Sequence, residues 1–166
     1  CSADAPLKGL RYLLHAYARL LERDPDLELL LVSKPNPGGK TEQLVQRLGL
    51  ADKVQFVNGI STEQMVRYYA EAAIAVVPSV YEGFGLPAGE AMACGVPVVS
   101  TDGGALPEVV GDAGVIVPAK NVDALVAQVL KQHGAVDVLV NNAAISHVAD
   151  VLELKEEDFD RVLAIN

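Results

Sequence analysis

Glu82 and Glu90 stand eight positions apart and bracket the run Gly83-Phe84-Gly85-Leu86-Pro87-Ala88-Gly89. A carboxylate accepts paired hydrogen bonds, which suits it to the vicinal hydroxyls of a sugar. Between the glutamates, a glycine-rich turn runs into Pro87, and proline is favoured in the first turn of a helix. The spacing therefore puts Glu82 on a loop and Glu90 two turns into the following helix. It also directs the backbone amides of Gly83, Phe84, Gly85 and Leu86 at a helix N-terminus. Unpaired N–H groups and the helix dipole make such a place an anion site, suited to a diphosphate. Lys8, in Pro6-Leu7-Lys8-Gly9, is a cation that could join it. Other reactive side chains fit less well. Lys34 and Lys40 flank a Pro/Gly loop and read as solvated. His15 and His133 have no partner at ligand spacing, and Cys94 reads as helix packing. No metal set and no resident cofactor are expected.

These groups need a scaffold, and the hydrophobic pattern supplies one. Short β-branched runs alternate with amphipathic stretches, the pattern of βα units and a parallel sheet. Helices are expected over 10–21, 41–48, 62–72, 87–93, 122–132 and about 155–165, and strands over 27–32, 54–57, 74–77, 96–100, 114–117 and 136–140. The strands are nearly unbroken apolar runs and so are expected to be buried on both faces. The expected fold is α/β: a single Rossmann-like three-layer domain over 1–166 with a mostly parallel sheet of about six strands. Such a domain ordinarily opens with a strand, yet residues 1–8 lead almost directly into a helix. A first strand is expected to be missing, and both ends read as cut.

Composition narrows the function. With 22 acidic against 13 basic side chains the formal net charge is -9, which disfavours nucleic acid and anionic membrane surfaces as partners. Two cysteines, Cys1 and Cys94, give no disulfide framework. No apolar run reaches the roughly 18 residues of a membrane span, so a soluble, cytoplasmic protein is expected.

The segment from Glu82 to Glu90, followed by Ala91-Met92-Ala93-Cys94-Gly95-Val96-Pro97-Val98-Val99 and Gly103-Gly104-Ala105-Leu106-Pro107-Glu108, resembles the retaining glycosyltransferases of family 4. Their fold has two Rossmann-like domains, and the likeness is to the C-terminal, donor-binding one, over about residues 2–130. It includes Pro6-Leu7-Lys8-Gly9 and Val76-Val77-Pro78-Ser79. The resemblance implies that Glu90 holds ribose hydroxyls, that Gly83 to Leu86 hold the diphosphate and sugar, and that Lys8 meets the phosphates. It gives Glu82 the hexose hydroxyls near the reacting carbon, the one catalytic role suggested. The implied ligand is a UDP-sugar or another nucleoside diphosphate sugar. The pattern departs where family members carry an arginine before the lysine, because Ser2 and Ala3 stand there. With no acceptor domain in view, turnover by this chain alone is not expected.

From about residue 132 the likeness changes. His133-Gly134-Ala135-Val136-Asp137-Val138-Leu139-Val140-Asn141-Asn142-Ala143-Ala144-Ile145 and the run from Glu156 to Asn166 resemble a fragment of a short-chain dehydrogenase/reductase. Its glycine-rich loop and catalytic Ser, Tyr and Lys have no counterpart, so a packing role outranks an NAD(P)-binding one. The chain reads as a chimera of 1–131 and 132–166, recombined or engineered, joined within one helix. A non-enzymatic folded chimera with no ligand is the alternative function. The strand over 136–140 is expected in the centre of the sheet, beside 27–32 and 74–77, with addition at the edge next to 114–117 as the alternative. Supply of that strand by a second chain would give an exchanged homodimer.

Overall fold

A 3-10 turn, Pro6–Lys8, leads through Gly9 into helix α1, Leu10–Leu21. The structure is a computed structural model that describes residues 3–133 and 138–142. Gly9 takes the left-handed conformation at φ 68° and caps α1. A Cβ there would fall 1.8 Å from the Pro78 carbonyl oxygen, so only glycine lets the start of α1 sit against the end of the third strand. Leu10, Leu13, Leu14, Tyr17 and Leu20 repeat at helical spacing and form the buried stripe of α1.

The remaining elements alternate. They are β1 Glu28–Val32, α2 Lys40–Arg47, β2 Val54–Val57, α3 Thr62–Glu71 and β3 Ile74–Val77, then α4 Leu86–Ala93, β4 Val98–Thr101 and α5 Leu106–Val110, then β5 Gly114–Val117, α6 Val122–His133 and β6 Val138–Asn142. Every strand pair is parallel, in the order β2-β1-β6-β3-β4-β5. Period-two alternation splits the sheet's side chains between two cores. Leu29, Leu31, Ile74, Val76 and Val99 pack with residues of α1, α2 and α6. Leu30, Val32, Ala75, Val77 and Val98 pack with Tyr69 of α3, Ala88 and Ala91 of α4, and Leu106 and Val110 of α5. Helices therefore cover both faces, the three-layer α/β arrangement expected.

The last strand enters the centre, between β1 and β3, as its apolar run suggests. Glu28 to Val32 pair in order with Val138 to Asn142, and Ile74 and Ala75 pair with Leu139 and Val140. Its described span ends at Asn142, two residues beyond the expected end. Two further expectations are corrected, and one element is added. The outer strands β2 and β5 are only partly buried, because each has a neighbour on one side alone. β4 begins at Val98 rather than 96, just past Pro97, which has no N–H to give a ladder. Residues 106–110 form a short helix that has too few turns to show a period. The helix expected over 155–165 and the dehydrogenase-like run from Glu156 to Asn166 lie outside the described residues.

Candidate functional site

In an all-parallel sheet every strand ends on the same edge, and three loops meet on this one. The loop after β3 carries Pro78 to Gly85, the loop after β4 carries Gly103 and Gly104, and the Pro6–Lys8 turn lies against both. Val80 donates its N–H to the Leu7 carbonyl at 2.7 Å, and Gly9 abuts Pro78. Glu82 is latched to the β4 loop, where Ala105 donates its N–H to the Glu82 carbonyl at 2.9 Å. Gly104, at φ +67°, must be glycine, since a Cβ would lie 2.2 Å from that same carbonyl oxygen. The Thr101 hydroxyl donates to the Ser79 carbonyl and ties the two strand ends together.

This framework brings Lys8 and Glu82 together. The Lys8 ammonium donates to both carboxylate oxygens of Glu82, at 2.8 and 3.1 Å, and the Ser79 hydroxyl donates to Oε2 at 3.1 Å. The two side chains remain 20% and 13% exposed, so the pair is reachable from solvent. Four residues beyond Glu82, α4 begins at Leu86 with Gly85 as its cap, at φ 89° and without a side-chain cap bond. Among the described residues the amide N–H groups of Gly83, Phe84, Gly85 and Leu86 donate to no protein acceptor. Pro87 takes the second helical position rather than the first. Its carbonyl accepts the Tyr69 hydroxyl at 3.3 Å, which fixes α4 against α3. Glu90, half-buried, is the fifth residue of α4, one turn in rather than two. Phe84, Tyr81 and Leu7 are 69%, 60% and 55% exposed and form an apolar rim.

A second anchor holds the approach to Lys8. Asp4 accepts from the N–H groups of Thr41 and Asn36 at 2.8 and 3.1 Å, and the Thr41 hydroxyl donates to the Ala3 carbonyl at 3.0 Å. Burial pulls the Asp4 carboxyl upward, but those backbone N–H groups, the Thr41 hydroxyl and the Lys40 charge together hold it below its ordinary range. Ser79, Asp4 and the latch at Gly104 were not singled out as site residues in the sequence. The only signals for them are a Gly-Gly doublet and a serine two positions past a strand. Lys34 lies exposed on the β1–α2 loop of the same edge, and Lys40 is the exposed first residue of α2. A cavity of about 420 Å³ opens at the opposite, amino edge, beside Glu28, Lys53, Tyr68 and Glu71, away from this chemistry. Among the described residues no three His, Cys, Asp or Glu side chains gather as metal ligands. None of the described helices is long and apolar enough to cross a membrane.

A family model for the glycosyl transferases group 1 matches residues 2–133. The chain belongs to the group 1 glycosyltransferases. It is 52% identical over 131 residues to an MMP alpha-(1->4)-mannosyltransferase of Mycolicibacterium hassiacum, a match covering 76% of this chain and 31% of that protein. The C-terminal domain of a group 1 glycosyltransferase, LpcC of Francisella tularensis, matches with a TM-score of 0.69 at 27% identity, covering 81% of this chain and 73% of that one. Anabaena Alr3699/HepE in complex with UDP matches with a TM-score of 0.66 at 27% identity, over 77% of this chain and 36% of that one. This group 1 glycosyltransferase chain spans about a third of the length of the curated relatives it matches. A short chain dehydrogenase model matches residues 108–166, overlapping the first match through α6.

Proposed function

We propose that this group 1 glycosyltransferase domain holds a nucleoside diphosphate or its sugar conjugate at the carboxyl edge of the sheet, and does not transfer the sugar by itself. The observation that carries the reading is the turn of four amides that find no acceptor among the described residues at the start of α4, four residues from a lysine–glutamate pair. Gly83, Phe84, Gly85 and Leu86 would meet the phosphates and sugar, with Lys8 on the phosphates, Glu82 on the hexose hydroxyls and Glu90 on the ribose. A UDP complex of a fold neighbour supports the ligand class. The Lys8–Glu82 pair is not an obstacle. Partly exposed pairs are worth roughly 0–1 kcal/mol, so a diphosphate can take over Lys8 while sugar hydroxyls take over Glu82. Transfer needs an acceptor oriented against the donor, a proximity effect worth roughly 7–11 kcal/mol, and the groups gathered here are all assigned to the donor.

The decisive experiment is calorimetric titration of the chain with UDP, ADP and NAD. Weak heat with a nucleoside diphosphate, reduced in Glu90→Ala, is the expected result. No heat at millimolar ligand would defeat the reading. A second reading, favoured by the match over 108–166, is a chimera in which a dehydrogenase-like strand and helix complete a glycosyltransferase sheet. Heat with NAD that survives Glu90→Ala would favour a ligand role for that segment, and no heat with any of the three would leave it the packing role alone.

A further inference from the structure

Lys8 and Glu82 meet as a pair, but they are not held alike. The Glu82 carbonyl accepts the Ala105 N–H at 2.9 Å, and the Glu82 backbone pairs with that of Gly104 in a parallel bridge. Its carboxylate accepts the hydroxyl of Ser79, a residue 2% exposed whose own carbonyl accepts the Thr101 hydroxyl. Glu82 is therefore anchored through its main chain to the β4 loop and through its side chain to the residues just past β3. Lys8, by contrast, ends a three-residue 3-10 turn and reaches Glu82 at the tip of a flexible four-carbon stem. The carboxylate is the fixed member of the pair and the ammonium the movable one.

That asymmetry decides what an incoming anion meets. An anion that draws Lys8 away leaves Glu82 in place, with Ser79 as its one remaining donor among the described residues. A carboxylate has about four acceptor sites, so most then stand open. The Glu82 side chain is 13% exposed, which leaves water little room to fill them. It also directly precedes Gly83, the first of the four amides assigned to phosphates and sugar, so the uncovered charge borders the bound one. The outcome depends on the ligand. A free nucleoside diphosphate offers Glu82 only phosphate oxygens of like charge, and above about pH 6 its terminal phosphate carries one negative charge more than the sugar-bound form. Such charges repel through water and more strongly in a partly buried place. A sugar conjugate lacks that extra charge, and its hydroxyls donate to the open carboxylate. We propose that the Lys8–Glu82 pair is a specificity device, in which the anchored Glu82 carboxylate turns the site against free nucleoside diphosphates and toward their sugar conjugates. This inference rests on the reading of the carboxyl edge as a nucleoside diphosphate site. Discrimination of this kind comes from a group that repels the competitor as well as one that attracts the ligand. Losing its sugar thus costs a carrier part of its hold on this edge.

The test is calorimetric titration of the full chain at about pH 8 with UDP and with UDP-glucose, in wild type, Glu82→Gln and Glu90→Ala. Glutamine keeps the shape of Glu82 and removes its charge. Replacing a residue of the site should here strengthen a ligand. Glu82→Gln should bind UDP about tenfold more tightly and gain less for UDP-glucose, and it should lose most of the UDP gain at about 1 M salt. A partly exposed pair contributes little to folding, so the variant should keep the wild-type melt. Should it not, Glu82→Ala also removes the charge and is read in the same way. UDP affinity equal to or below wild type in the folded variant, while Glu90→Ala still weakens UDP, sinks this inference alone. Equal gains for UDP and UDP-glucose would also overturn it. No UDP heat from wild type or any variant sinks the site reading and this inference with it.

Discussion

At the scale of single residues, the glycines divide into those the backbone requires and those it does not. Gly9 and Gly104 have positive φ, and an added Cβ would lie 1.8 and 2.2 Å from backbone carbonyl oxygens. Neither carbonyl can retreat without opening the joint between the Lys8 turn, the β3 loop and the β4 loop. Gly9→Ala and Gly104→Ala should each cost about 2–4 kcal/mol in urea unfolding. Gly83→Ala meets nothing within 4 Å and should stay within about 0.5 kcal/mol of wild type. Similar losses at all three positions would remove the latch from the account. Tyr17 gives a pH-dependent counterpart. Its hydroxyl lies 2.7 Å from the carbonyl oxygens of both Leu27 and Lys53, inside the core. Burial first, and then the Glu28 carboxylate, push its phenol up from 10.0 to about 12. The folded state thus keeps the proton longer than the unfolded state. Its contribution is fully present below pH 10 and is lost as pH rises through about 12. Two pH units amount to about 2–3 kcal/mol, read as a falling melt between those pH values. Tyr17→Phe should flatten that alkaline limb and lower neutral stability by about 1–3 kcal/mol, because the Leu27 and Lys53 carbonyls lose the one O–H that they share. An unchanged limb in the Phe variant would refute the assignment.

At the scale of elements, β6 matters most. It supplies the partner of β1 along Glu28–Val32 and of β3 at Ile74 and Ala75. Without it the backbone groups facing the gap lose their hydrogen bonds in the most buried part of the sheet, where each unsatisfied group costs about 1–3 kcal/mol. An edge strand such as β2 would be missed far less. Deleting residues 134–166 should therefore abolish the cooperative melt and the dispersed NMR spectrum. A cooperative transition in residues 1–133 would contradict this and show that β1 and β3 can close directly. α6 is the element that makes the central position attainable. It packs on the α1 side of the sheet through Leu125, Val126 and Val129 and so leads the chain back from the β5 edge.

At the scale of the whole molecule, the same arrangement that completes the sheet also completes the edge on which the candidate site stands. Sequence alone determined the α/β class, because alternating apolar strands and amphipathic helices admit few other solutions. It located the ends of most elements to within a residue or two, since the hydrophobic period changes where one element gives way to the next. It also picked out Lys8, Glu82, Gly83, Phe84, Gly85, Leu86 and Glu90 as the groups to examine, through a turn and spacing visible in one dimension. Short or edge elements escaped it. Residues 106–110 are too few to show a period, and the partial burial of β2 and β5 depends on having one neighbour rather than two. Only the tertiary structure decided that Lys8 pairs with Glu82, 74 positions away, and that Ser79 joins them. The Gly104 carbonyl contact and the Asp4 anchor were likewise settled there. Such contacts are set by how loops from separate strands converge at one edge, which no local pattern encodes. The register that puts Asn142 level with Val32 belongs to the same class, because a strand's place in a parallel sheet is fixed by packing on both faces and not by its own residues.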